Sequence, residues 1–273
     1  MKKRDVVLSL CAICLTIFGC QQEDKNLLGD DIRLFKGQAW ELAQAVESQD
    51  TLKIKQIIAE HKISVDYQEP KFGETLLEWA VWTNHYDSSK ALLENGADPN
   101  LQDHYNGYTA FTFAAAKFET SQYVKLLLKY KADPNVIARN AKSMYPSPFI
   151  AAAYHRLEST KLLADAGADI NYISKTNKNA LSAAFTFDKV DIVHYLLIDK
   201  KADFNQPFGQ TVNGEDITIT NLLRGWLFPL NSKEYKEKME IVNYLKGKGV
   251  DYSKAPIPQR YYAKYPKEYL DKY

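Results

Sequence analysis

An all-α solenoid of about six helix-turn-helix repeats is the fold class this sequence predicts, and three observations lead there. Five related strings recur: Gly96-Ala97-Asp98-Pro99-Asn100, Lys131-Ala132-Asp133-Pro134-Asn135, Gly167-Ala168-Asp169-Ile170-Asn171, Lys201-Ala202-Asp203-Phe204-Asn205 and the degraded Gly249-Val250-Asp251-Tyr252-Ser253. The aspartates of the first four stand 35, 36 and 34 residues apart. Apolar residues at helical spacing precede each string. A fixed period in this range marks stacked units that share one continuous core. Such an array offers a long concave surface and rarely a catalytic pocket.

The chain opens on Met1-Lys2-Lys3-Arg4, followed by an apolar run from Val6 to Phe18 and then Gly19-Cys20. A membrane span needs about 20 apolar residues. The run is shorter than that and fits the apolar segment of a secretory signal behind a basic start. The ending Leu15-Thr16-Ile17-Phe18-Gly19-Cys20 resembles the lipobox of bacterial lipoproteins. The resemblance implies a signal peptide over 1–19 and a lipid on Cys20, the first residue of the mature chain. Residues 20–31 read as a lipidated polar tether. Gln21 is not the aspartate that retains such proteins at the inner membrane, so an outer-membrane anchor is expected, on the periplasmic or the surface face. With Cys11 and Cys14 in the signal, no disulfide is possible in the mature chain. It must be held by its core, which 45% apolar residues can supply. A formal net charge of +1 leaves no nucleic-acid footprint.

The repeats are expected over 32–253, in units at about 38–68, 73–100, 107–135, 147–171, 179–205 and 214–253. In the best of them, Gly73-Glu74-Thr75-Leu76-Leu77-Glu78-Trp79-Ala80-Val81 forms a turn and an inner helix, and Ala91-Leu92-Leu93 marks an outer helix. Thr75, Thr109, Ser147 and Asn179 are placed to cap the inner helices. The first and last units depart from the pattern, as terminal repeats with one wet face should. From the closing Asn to the next cap is 9 residues (Asn100 to Thr109), 12 (Asn135 to Ser147) and 8 (Asn171 to Asn179), so Val136–Pro146 forms a longer finger. An insertion, 225–231, interrupts the last unit. Residues 254–273 form a tyrosine-rich tail, read first as a cap on the last repeat and alternatively as a free recognition tail.

These units resemble the ankyrin repeat, written Gly-x-Thr-Pro-Leu-His-x-Ala-Ala, then a helix with a double leucine, then Gly-Ala-Asp-x-Asn. The resemblance covers about 37–252 and implies a protein that binds other proteins. None of the four best-matched units carries the family's histidine. Glu78, Thr112, Ile150 and Ser182 stand in its place, which puts that residue's hydrogen bonds in doubt.

Chemistry finds no support in the chain. The recurrent Asp-x-Asn lacks the glycine and distal glutamate of a calcium loop and reads as a turn in which the side chain accepts from nearby backbone N–H groups. The five histidines form no zinc spacing. There is no Gly-x-Ser-x-Gly and no free cysteine after processing. No metal, cofactor or catalytic residue is expected.

What remains is a surface. The family's partners touch the finger tips and the exposed ends of the inner helices. Carried onto this chain, the contact positions are Phe72, Glu74, Trp82, Thr83, Tyr105, Tyr108, Lys117, Tyr145, Tyr154, His155, Lys178 and Phe187, with Trp226 continuing the row. The set is rich in the aromatic residues that dominate binding hot spots. The expected function is a non-enzymatic interaction module anchored in the cell envelope. Small lipoproteins with such repeats resemble immunity proteins that neutralise toxin enzymes such as phospholipases. The alternatives are an envelope scaffold with several weak partners and, less favoured, an enzyme with an undetected site.

Overall fold

The computed structural model describes residues 27–60, 62–117, 121–140, 143–206 and 208–272. Cys20 and the expected signal lie outside them. Among the described residues every regular element is helical, apart from two isolated bridges, Gln68 to Thr75 and Gln210 to Asp216. The chain divides into two compact units, 1–105 and 106–273.

The first unit opens with a 3-10 turn, Ile32–Phe35, which Asp31 caps by accepting from the Arg33 N–H at 2.9 Å. Leu27, Ile32, Leu34 and Phe35 are buried, so residues 27–31 of the expected tether belong to the folded unit. Two helix pairs follow: α1 (Trp40–Glu47) with α2 (Thr51–Ala59), and α3 (Leu76–Trp82) with α4 (Tyr86–Glu94). The sharp bends inside the pairs place Gln49 and Asn84 at positive φ.

The second unit stacks four pairs: α5 (Ala110–Lys117) with α6 (Gln122–Lys129), α7 (Pro148–Ala153) with α8 (Leu157–Asp165), α9 (Ala180–Thr186) with α10 (Val190–His194), and α11 (Ile219–Arg224) with α12 (Lys233–Gly247). Past His194, α10 widens into a π turn over Tyr195–Asp199. Ala114, Ala115, Ala151, Ala152, Ala183 and Ala184 are all buried, which lets successive inner helices approach closely. Phe111, Phe149 and Leu127 are among the largest fully buried side chains. A 3-10 turn, Tyr252–Lys254, leads into the tail, which ends in a short helix, α13 (Lys267–Leu270).

The recurring strings do three jobs. Their first residue, Gly96, Lys131, Gly167, Lys201 or Gly249, sits at positive φ and ends the outer helix. The aspartate then accepts from the N–H two residues on, at 2.8–3.0 Å in all five strings. The third job was not expected: the closing Asn ties one repeat to the next. Asn135 Oδ1 accepts from the Asp169 N–H at 2.7 Å, and Asn171 Oδ1 from the Asp203 N–H at 2.9 Å.

The missing histidine is replaced locally. Glu78 Oε2 accepts from the Thr75 N–H at 2.7 Å while Thr75 Oγ1 accepts from the Glu78 N–H at 3.1 Å, a reciprocal capping box. Asn179 with Ser182, and Thr218 with Asn221, close the same box.

Candidate protein-binding surface

The finger Val136–Pro146 is closed by the Ala138 N–H donating to Pro146 O at 3.0 Å and tied back by the Asn140 N–H donating to Asn106 O at 3.2 Å. This brings Tyr145 over the seam between α5 and α7. The Tyr145 N–H donates to the Tyr108 hydroxyl at 3.3 Å. A ladder of rings results. Tyr108 lies 5.9 Å from Tyr145, Tyr145 lies 5.9 Å from Tyr154, and Tyr154 lies 5.5 Å from Phe187. Phe113 and His155 flank it, at 5.4 Å from Tyr108 and 4.2 Å from Phe187. The edge-to-face geometry of Tyr145, Tyr154 and Phe187 is the one aromatic quadrupoles favour.

Exposure sorts the expected contact residues. Tyr108 and Tyr154 are only 7% exposed, because neighbouring rings cover them, so they are supports rather than first contacts. Tyr145, His155 and Lys178 are half-buried, Lys117 is exposed and Phe187 is 40% exposed. Lys178 Nζ donates to Ser143 O at 3.1 Å, bracing one finger against the next. Burial and the nearby Lys189 and Arg156 hold the His155 pKa below its ordinary value, so the ring is neutral at pH 7. Arg156, Lys189 and Met144, half exposed at the finger tip, also stand in this region and were not expected. The local signal for Arg156 was its place directly after the Tyr154-His155 helix end.

Trp226 does not continue the row as an open contact. It is 4% exposed, stacked on Phe185 at 4.6 Å, and its indole N–H donates to Asp188 Oδ1. The insertion around it is clamped from behind. Lys238 Nζ donates to Trp226 O at 2.7 Å, and the Tyr261 and Tyr269 hydroxyls donate to Gly225 O and Phe228 O. The tyrosine-rich tail therefore lies on the insertion, with Leu270 buried. Trp226→Ala should cost the last repeat about 3–5 kcal/mol, the usual loss for a buried large ring. Urea unfolding followed by circular dichroism measures it; a loss below 1 kcal/mol would show the indole to be surface rather than core.

In the first unit Tyr105 is 70% exposed and meets the edge of Phe72 at 6.2 Å, with Lys71 Nζ 4.9 Å from the Phe72 centroid. Trp82 and Thr83 are half-buried at the end of α3, where Thr83 Oγ1 donates to Trp79 O at 2.7 Å. Glu74 lies beneath the segment 27–31: a side chain at Gly29 would meet its carboxylate at 2.9 Å. The same segment takes the Trp79 indole N–H on Asp30 O at 2.9 Å and Lys71 Nζ on Leu27 O at 2.6 Å. Burial, then Glu69, Asp103 and Asp30, push the Glu74 pKa up to about 8.

Among the described residues no group of three or more His, Cys, Asp or Glu is placed to hold a metal, and no helix is long and apolar enough to cross a membrane. A cleft of about 460 Å³ lies away from the ladder among Phe204, Phe208, Ile217 and Val250.

Comparison with known proteins matches a family model of ankyrin repeats in three copies to residues 42–138 and 112–207. Protein PhlB of Serratia liquefaciens is 31% identical over 183 residues, which span 67% of this chain and 78% of that protein. A putative ankyrin repeat protein of Rickettsia bellii is 27% identical over 64% of this chain and 23% of its own length. Putative ankyrin repeat protein L92 of Acanthamoeba polyphaga mimivirus is 35% identical over 31% of this chain and 20% of its own length.

Proposed function

The chain belongs to the ankyrin-repeat family, and from that premise we propose that it is a lipid-anchored, non-enzymatic inhibitor in the bacterial envelope that grips one protein partner and neutralises it as an immunity protein does. Ankyrin repeats are protein–protein interaction modules. The observation that carries the reading further is the ring ladder of the second unit. Buried Tyr108 and Tyr154 fix the half-open Tyr145 and Phe187 in place, so those rings lose little freedom on binding. A lipid on Cys20 would hold the repeats at a membrane, and two or more acyl chains make such anchoring durable.

The test is co-purification of the chain with the product of each neighbouring gene, paired with an assay of that product's toxicity. One neighbour should form a stoichiometric complex and lose its toxicity. Tyr145→Ala and Phe187→Ala should each weaken that complex by at least about tenfold, the scale of an aromatic hot spot. Cys20→Ser should abolish labelling by radioactive palmitate and release the chain from the envelope while leaving the complex intact. A complex indifferent to both ring substitutions sinks the reading. Several weak partners in place of one point to the scaffold alternative.

A further inference from the structure

We propose that the ladder of the second unit receives an acidic partner surface, one that sets aspartates or glutamates around a central apolar side chain. This rests on the reading of the ladder as the contact surface and adds the chemistry of what it contacts. The inner halves of three successive repeats, residues 106–117, 136–157 and 172–187, contain no Asp or Glu. They do contain Lys117, Arg139, Arg156, Lys175 and Lys178. The acids of the middle repeat, 147–171, are Glu158, Asp165 and Asp169, and all three fall on the outer helix α8 or the turn after it.

Charge is thus segregated by face, and the structure brings the cations to the rings. Arg156 and Lys189 are the charges that act on His155, which lies 4.2 Å from Phe187. Lys178 reaches the Tyr145 finger through Ser143 O. Among the described residues none of Arg156, Lys178 and Lys189 forms an ion pair, whereas on the outer layer Lys125 pairs with Glu158 and Lys200 with Asp165. Among the described residues the guanidinium of Arg156 reaches only Lys117 O, at 3.4 Å, and its buried Nε has no hydrogen-bond partner. Asp188, between Phe187 and Lys189 in sequence, is engaged by the Trp226 indole. Carboxylates arriving from outside would meet uncompensated cations around an apolar centre. That arrangement speeds encounter and rejects basic partners.

Selection of binders to the full chain from a phage-displayed library of random short loops tests this. Loops that need the ladder, identified by loss of binding to Phe187→Asp, should be enriched in Asp and Glu. Their affinity should fall about tenfold or more between low salt and 0.5 M NaCl. The double substitution Lys175→Glu, Lys189→Glu should weaken them by at least a further tenfold with the circular dichroism spectrum unchanged; Lys175→Gln, Lys189→Gln covers the case in which the reversal disturbs folding. Ladder-dependent loops that are neutral or basic overturn the charge inference and leave the ladder standing. A selection yielding only loops indifferent to Phe187→Asp, or no binders, overturns both.

Discussion

Gly107→Ala should cost the second unit about 2–4 kcal/mol, well above the ordinary price of a side chain at positive φ. Gly107 sits at φ +71°, where an L side chain costs roughly 1–2 kcal/mol. A Cβ there would also lie 2.3 Å from Arg139 N and 3.1 Å from Arg139 Cα. Those are backbone atoms and cannot rotate aside, so the finger must lift. Lifting it breaks the Asn140 N–H bond to Asn106 O and moves Tyr145 off Tyr108, adding the remaining 1–2 kcal/mol. Gly167→Ala is the control, since it has φ +90° and nothing within 4 Å of the added atom. Urea unfolding of both variants separates the close approach from the strain. Equal losses would mean that the finger does not need Gly107. A loss of partner binding confined to Gly107→Ala would tie the finger's seat to the ladder.

The repeat frame was legible because it is written in local chemistry. An Asp-x-Asn turn needs only its own residues, and a Thr, Ser or Asn cap needs only the three that follow. The reciprocal caps of Glu78, Ser182 and Asn221 were also within reach, because a capping box is a local pattern once the histidine is seen to be absent. The tie from Asn135 to Asp169 was not, because it joins residues 34 apart across a seam. Burial around the fingers and the inner-helix ends was the least legible. Trp226, Tyr108 and Tyr154 occupy positions that the register leaves open, and each is covered by a ring from another repeat or finger. Register says which way a side chain leaves its helix; what then lies on top depends on loops whose course the period does not set. The packing of Leu27, Gly29 and Asp30 against the first unit escaped for the same reason, since the polar composition of 21–31 gave no helix to follow.

Stability of the first unit should fall as pH rises from about 4.5 to about 8, and Glu74→Gln should remove most of that fall. Burial is the main cause of the raised Glu74 pKa, with Glu69, Asp103 and Asp30 adding repulsion. Glu78 is pushed up further, first by burial and then by Asp103 and Glu74, against the hydrogen bond from Thr75. Its Oε1 is buried with no partner, a cost an anion bears more heavily than a neutral acid. Both carboxyls therefore hold their protons in the folded chain over a range where the unfolded chain has released them. The folded state binds more protons in that window, so raising the pH favours unfolding. A shift from 4.5 to about 8 corresponds to roughly 5 kcal/mol at most, and solvent reaching the half-buried carboxyl reduces it to about 2–3 kcal/mol. Glu74→Gln should match the parent within about 0.5 kcal/mol at pH 4.5, where the folded carboxyl is protonated and the unfolded one half so, and exceed it by about 2–3 kcal/mol at pH 8.5. Glu78→Gln should act in the same direction while keeping its capping bond, since glutamine accepts as glutamate does. A variant that shifts stability equally at both pH values would show that Glu74 titrates alike in the folded and the unfolded chain. At pH 7 Glu74 is mainly a neutral acid beneath the segment 27–31, so it serves the packing of the first unit rather than an open contact. Glu74→Gln should then leave partner affinity at pH 7 within about threefold of the parent, a change of roughly 0.7 kcal/mol.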